Sequence, residues 1–339
     1  MKTKAILMLL LVVTIFIGCS SDKKDTLYIY NWTYYIPDSI VKDFEHQYNV
    51  KVVYDVFSSN EEMFAKLKAG GKGYDVVFPS GDFVKIMIKE KMLASLDKSK
   101  LPNIKYLDKN VLAKISYDPG NLYSLPYMIG TAGIAVNKEK VANYEHSSNI
   151  FNRKDLQGKM TMLDDMREVL GLALKSLGYS VNTTDNQQLA QAQKVVQGWK
   201  QNILKFDAES FAKGFASGEF LVVQGYAENI FLEVDTPNRS HIEFFIPKEG
   251  SAMYIDNMVI LKDSKNQDLA YAFINYIHEP QVYAKICDFL KLPAVNTESR
   301  KYIKEKPHYQ LEDLKNCELK EDLGPDLEKY NKIWEEIRI

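Results

Sequence analysis

The chain has 339 residues, 46% of them hydrophobic, and a formal charge of −2 from 43 basic and 45 acidic side chains. That length suggests two domains with a sizeable core. The even mixture of signs excludes a nucleic-acid binder, which would carry a basic run to track phosphates. Five scattered histidines show no metal-ligand spacing. There is no Walker A loop, no G-x-S-x-G elbow and no H-E-x-x-H pair. No metal and no cofactor is expected, and the chain reads as a non-enzyme.

In chain order, the first element lies outside the fold. Two lysines, an apolar stretch from Ala5 to Ile17 and the pair Gly18-Cys19 read as a signal peptide over residues 1–18. The apolar stretch is shorter than a membrane-spanning helix needs. A Gly-Cys pair there resembles the lipobox of bacterial lipoproteins, so Cys19 is expected to carry lipid, with residues 19–25 as a polar tether; plain secretion is the alternative. Loss of residues 1–18 removes Lys2 and Lys4 and takes the charge from −2 to −4.

From Thr26 strands and helices alternate. "TLYIYN", "VKVVYDVF" and "YDVVFPS" read as strands; "IPDSIVKDFEHQY", "SNEEMFAKLKAGG" and "DFVKIMIKEKML" as the helices that follow them. Such alternation implies parallel βαβ units, whose ligand crevice lies at the carboxyl ends of the strands. A second α/β segment begins near residue 132. There "MLDDMREVLGLALKSLGYS" predicts a helix with Asp165 at the N-cap, Glu168 completing a capping box, Leu170, Leu174 and Leu177 on one face, and Gly178 at C′. "NQQLAQAQKVVQGWKQN", "QDLAYAFINYIHEPQVYAKICDFL" and "GPDLEKYNKIWEEIRI" read as further helices. Cys287 and Cys317 read as two free thiols, small buried hydrophobes, although an oxidising compartment permits a disulfide.

The expected strand-end loops carry chemistry. Trp32, Thr33 and Tyr35 occupy the first. Tyr254 and Asp256 are two apart, so in an extended segment they point to one side. A ring beside a carboxylate suits an organic ammonium, which the ring attracts and the carboxylate accepts hydrogen bonds from. Taken alone, Trp32 or Tyr254 reads more readily as core or interface filler; several such groups on loops at one end of the lobes favour the ligand reading.

"YNWTYYIPDSIVKDFE", "SNEEMFAKLKAGGKGYDVVFPS", "DDMREVLGLALKSLGYSVNTTD" and "PKEGSAMYIDNMVI" resemble the spermidine/putrescine-binding proteins of bacterial polyamine ABC importers. The resemblance implies an α/β, two-lobed periplasmic-binding-protein fold with the ligand in the cleft between lobes. It implies lobes of residues 26–131 plus 256–302 and 132–255 plus 303–339. It implies capture of putrescine and/or spermidine, delivery to ABC permease subunits, a periplasmic location on a lipid anchor, and a monomer that binds no nucleic acid. Residue by residue, it assigns ligand contacts to Trp32, Thr33, Tyr35, Ser80, Asp165, Glu168 and Asp256. Tyr254 and Tyr226 stand where the family has tryptophans.

Three positions depart from the family pattern: Asp82 for an aromatic, Leu292 for a tyrosine and Lys320 for a glutamine. One reading of them pairs Asp82 with Lys320 across the cleft, near the place of a third ligand nitrogen, which would favour putrescine; the other turns Lys320 to solvent. Competing functions are a same-fold binder of ferric ion or a thiamine-like cation, and a surface adhesin that retains the fold.

Overall fold

The computed structural model describes residues 24–71 and 73–339. The expected signal peptide, Cys19 and most of the tether lie outside the described residues. Among those residues, no helix is long and apolar enough to cross a membrane.

The expected alternation builds the first lobe. Strands β1 (Thr26–Trp32), β2 (Lys51–Phe57) and β3 (Val76–Val77) are parallel, with β1 between the other two. Each feeds a helix: α1 (Asp38–Tyr48), α2 (Asn60–Lys68) and α3 (Gly81–Lys89). These helices bury Ile40, Phe44, Met63, Leu67, Val84 and Met87 against the sheet, each fully buried side chain stabilising by roughly 1.5–3 kcal/mol. After the short α4 (Lys109–Leu112), β4 (Ser124–Thr131) leads out of this lobe.

The second lobe begins with β5 (Gly133–Asn137), followed by β6 (Met160–Met162), α5 (Met166–Ser176), α6 (Asn186–Lys200), β7 (Ile203–Phe206), α7 (Phe211–Ser217), β8 (Val222–Gly225), α8 (Ala227–Glu233) and β9 (Ile242–Phe245). Its sheet runs β7-β6-β8-β5-β9. Strand β6 is parallel to β7 and β8, whereas β5 is antiparallel to β8 and β9. The carboxyl ends of β6 and β8 therefore lie together.

The chain then returns to the first sheet as β10 (Ala252–Ile260), antiparallel to β4 along one edge. The opposite edge is shared. Strand β3 pairs at Val259 and Ile260, and β11 (Glu318–Leu319) pairs at Ala252 and Met253. A gap opens on that edge at the middle of β10, and Asp256 sits in it, bridged to Ser80.

Two sequence expectations change here. The segment 267–290 is two helices, α9 (Gln267–Ile277) and α10 (Pro280–Leu290), because Pro280 has no N–H to continue the first and suits the opening turn of the second. Residues 303–319, expected on the second lobe, join the first: Tyr309, Leu314, Cys317 and Leu319 lie in its core. The reason is β11, whose pairing holds this stretch to β10; residues 252–255 of β10, likewise expected on the second lobe, lie in the first sheet with it. Only α11 (Leu327–Arg338) crosses back, burying Tyr330, Trp334 and Ile337 in the second core. Cys287 and Cys317 are buried and free.

His278 ends α9 fully buried, stacked on Tyr283, with neither ring nitrogen hydrogen-bonded. Burial lowers its pKa to about 4. A depressed histidine leaves stability intact above its unfolded pKa near 6.5 and removes it as pH falls toward the folded value. Between pH 7 and pH 4.5 the wild type should therefore lose up to roughly 3 kcal/mol more than His278→Phe, as urea unfolding at the two pH values would read. Equal losses would show that His278 is not the titrating group.

Candidate ligand site

The site forms where strand-to-helix junctions of both lobes face each other. In the first lobe, β1 ends at Trp32, whose indole N–H donates to the Phe78 carbonyl at 2.9 Å and whose ring packs on Phe57 at 4.6 Å. Trp32 is thus half-buried, held along one edge. Thr33 and Tyr34 are exposed, with Tyr34 in the left-handed region at φ 56°. That turn brings Tyr35 inward, where its backbone carbonyl accepts the Tyr127 hydroxyl at 2.6 Å.

Asp256 is 4% exposed. Its Oδ2 accepts the Tyr35 hydroxyl at 2.7 Å and its Oδ1 the Ser80 hydroxyl at 2.6 Å. Asn60 fixes Ser80, donating to its Oγ at 3.0 Å and accepting its backbone N–H at 3.1 Å. Both Asp256 partners are neutral, so its charge is solvated but not cancelled. Burial raises its pKa to about 6, with Ser80 and Tyr35 opposing. Each carboxylate oxygen keeps a lone pair for a further donor.

Tyr254 faces Gly130 across the β4–β10 ladder. A Cβ on Gly130 would lie 2.3 Å from the Tyr254 hydroxyl, so only glycine lets that ring lie flat across β4. From the second lobe, Tyr226 meets Tyr254 edge-on at 6.0 Å. The Tyr254 hydroxyl reaches Glu228 Oε1 at 3.4 Å. Glu228 is absent from the sequence-based assignment. Burial raises its pKa to about 7, and Asp256 adds to the rise. A first-turn acid after a strand reads as ordinary helix-start charge, yet the same reading fits Glu61 on α2, Asp82 on α3 and Glu168 on α5. The pattern also recurs with Asp38 on α1 and Asp268 on α9, so it does not by itself single out Glu228.

Asp165 caps α5 as expected, its Oδ1 accepting the N–H groups of Arg167 and Glu168 at 2.8 and 3.1 Å. Gly178 at φ 78° closes the helix, with Tyr179 N–H on Leu174 O and Gly178 N–H on Lys175 O, both at 2.9 Å. Leu177 is exposed, so the apolar face ends at Leu174. Asp164 pairs with Arg338 at 3.2 Å, a structural role.

The capping box does not close. Glu168 turns away from the Asp165 N–H and meets Lys320 Nζ at 2.6 Å. The Asp82–Lys320 pair is likewise overturned, and so is the solvent-facing alternative: Lys320 points inward to Glu168. The reason is its anchor beside β11, where its N–H bonds Met253 O at 3.0 Å and its stem extends toward α5. Asp82 is half-buried. Burial raises its pKa, while Lys320 and Arg167 pull it down from farther off. Partial loss of solvent also raises the pKa of Glu61, which stays exposed at the surface of α2, and Asp165 and Asp82 add to the rise. Leu292 is buried core.

The structure thus gathers Tyr35, Ser80, Tyr254 and Asp256 at one end, with Glu228, and Asp82, Asp165, Glu168 and Lys320 at the other, with Tyr226 between them, near both Tyr254 and Glu168. Trp32 flanks the cleft. Thr33 is exposed and makes no side-chain hydrogen bond among the described residues. The arrangement is a cluster of aromatic rings and carboxylates drawn from both lobes, and its chemistry suits an elongated cation.

A family profile described as "Bacterial extracellular solute-binding protein" matches residues 39–310. The spermidine/putrescine-binding periplasmic protein 1 of Haemophilus influenzae is 34% identical, over 93% of this chain and 89% of that protein. The spermidine/putrescine-binding periplasmic protein of Escherichia coli is 33% identical, over 94% and 93%. Among solved structures, the TpPotD lipoprotein of Treponema pallidum is 50% identical, covers 93% of this chain and 99% of that one, and superposes with a TM-score of 0.91.

Asp256 should weaken the empty protein. A carboxylate whose pKa is raised on folding adds no penalty below its ordinary value near 3.8 and a growing one up to about 6. Asp256→Asn should then stabilise the ligand-free protein at pH 7.5 by up to roughly 3 kcal/mol, and have little effect at pH 3.5. Thermal unfolding at both pH values checks this; a destabilised Asn variant at pH 7.5 would contradict it.

Proposed function

The chain belongs to the bacterial extracellular solute-binding proteins, and from that membership we propose that it captures polyamines, putrescine and/or spermidine, and delivers them to the permease of an ABC importer. The observation that carries the reading is Asp256: a buried carboxylate whose hydrogen-bond donors among the described residues are two neutral hydroxyls, of Tyr35 and Ser80. An ammonium entering a cleft loses its water and needs charged acceptors in return. Asp256 and Glu228 serve one end of the ligand, Asp165 and Asp82 the other. The rings of Trp32, Tyr226 and Tyr254 cover the methylenes between, and Thr33 borders the entrance. The relatives named for spermidine and putrescine support the assignment.

Capture follows from closure. Residues of both lobes contribute, so a dication bridging them favours the closed arrangement by its differential affinity. The closed face is then what the permease reads. The protein is a carrier, not an enzyme, and acts as a monomer outside the cytoplasmic membrane. Cys19 anchors it by lipid; Gly18-Cys19 after an apolar stretch supports this, as does the lipoprotein from Treponema pallidum.

Isothermal titration with putrescine, spermidine, thiamine and Fe(III) tests the ligand class. Binding should be confined to the polyamines, and Asp256→Asn should weaken it by about 2–5 kcal/mol. A bound cation favours the ionised carboxylate, so binding should release protons near pH 6.5 and weaken as pH falls from 7.5 to 5.5, through the values near 7 and 6 for Glu228 and Asp256. Tight binding of thiamine or Fe(III) with no response to polyamines would reject the assignment.

The anchor is tested apart from the ligand. Cys19→Ala should abolish labelling by a fatty-acid probe and release the protein in soluble form. Continued labelling of that variant would place the lipid elsewhere.

A further inference from the structure

Lys320 is held more firmly than a surface lysine. Beyond its own bond to Met253 O, the residues around it are braced on the second lobe. Asn182 donates to Leu319 O at 2.8 Å and accepts the Glu321 N–H at 2.9 Å. Arg167 ties that brace to α5, donating to Asn182 Oδ1 at 2.7 Å and to Glu321 O at 3.1 Å. The stem therefore has one direction to extend, into the cleft, where Nζ meets Glu168 Oε1 at 2.6 Å with side-chain exposures of 15% and 0%. The second oxygen, Glu168 Oε2, is buried and makes no hydrogen bond within 3.5 Å among the described residues, with Tyr226 the nearby hydroxyl on this carboxylate.

The remaining cleft carboxylates are served differently. Asp256 takes two hydroxyls, Glu228 one hydroxyl at 3.4 Å, and Asp165 two backbone N–H groups. Among the described residues, Glu168 is the one of the five cleft carboxylates, Asp82 included, that pairs with an ammonium of the protein's own. A lysine side chain is an alkylammonium on four methylenes, chemically one arm of a polyamine.

We propose that Lys320 is a tethered ammonium filling one amine seat of the cleft, so that the site selects a ligand with two ammonium groups over one with three. This rests on the polyamine reading. A triamine would bring a third cation to a carboxylate that already has one, in a site where burial reduces screening. A diamine leaves that seat to Lys320 and uses the carboxylates without an internal cation. The acids around it support the charged form: burial works against the Lys320 ammonium, but Glu168, Asp165 and Asp82 together hold its pKa above the ordinary lysine value.

The test compares spermidine with putrescine by isothermal titration on wild type, Lys320→Gln and Lys320→Met. Wild type should prefer putrescine. Each variant exposes Glu168 to a third ligand nitrogen, so the spermidine-to-putrescine affinity ratio should rise at least about tenfold. In the double variant Glu168→Gln/Lys320→Gln the seat is gone, and the ratio should return toward that of wild type. A structural role alone would weaken both ligands together and leave the ratio unchanged. Circular dichroism confirms folding, and Met keeps the stem's bulk if Gln does not. An unchanged ratio in a folded variant, with putrescine still bound by wild type, overturns the proposal. Wild type that binds neither polyamine overturns the polyamine reading itself.

Discussion

Negative charge confined between two lobes is the constraint on which the rest of this structure depends. Asp82, Asp165, Glu168, Glu228 and Asp256 gather there, and burial pushes Glu228 to about 7 and Asp256 to about 6. Removing a carboxylate from water is costly unless a cation or several donors replace it. The protein supplies Lys320 for Glu168, hydroxyls for Asp256 and Glu228 and backbone N–H groups for Asp165, so only one of these charges meets a cation. What remains is a standing cost to the empty molecule that a cationic ligand relieves. Affinity and closure thus share one origin, and stability is given up locally for binding.

The backbone makes that arrangement possible through strand β10. One edge is fully occupied by β4, while the other is divided between β3 and β11. Asp256 stands in the gap, bridged to Ser80, and Lys320 follows directly on β11. Both ends of the cleft are therefore referenced to a single rigid element. Two glycines admit the rings around it. Gly130 lies beneath Tyr254, and Gly81 lies beneath Tyr117, whose ring would be 2.2 Å from a Cβ at that position. Tyr117 in turn bonds Asn257 at 2.9 Å, fixing β10 just past the site.

Helix α5 separates what is local from what is not. Its N-cap, its Schellman ending and the structural use of Asp164 rest on atoms a few residues apart or on the charge at a chain end. Asp165 behaves as its sequence neighbours require. Glu168 does not: in a capping box its carboxylate would reach back to Asp165, but the ammonium of residue 320 takes it instead, because a full positive charge adds a Coulomb attraction that a backbone N–H lacks.

Sequence by itself determined the alternating elements, the parallel β1–β2–β3 unit, the strand-end position of Trp32, Tyr35 and Ser80, and the cap at Asp165. These follow from periodicity and turn chemistry, which act over a few residues. The family resemblance brought Asp256 and Tyr254 to the cleft. Tertiary structure alone decided that 303–319 packs with the first lobe, because the two-residue β11 is too short to leave a sequence signal and is fixed by its partner. It alone decided that Glu228 meets the Tyr254 hydroxyl and that Lys320 pairs with Glu168 and not with Asp82. Those choices are made by side chains more than 25 residues apart in the chain, and in one case by 152 residues. Electrostatic partners are set by distance in space, and no local pattern encodes that distance.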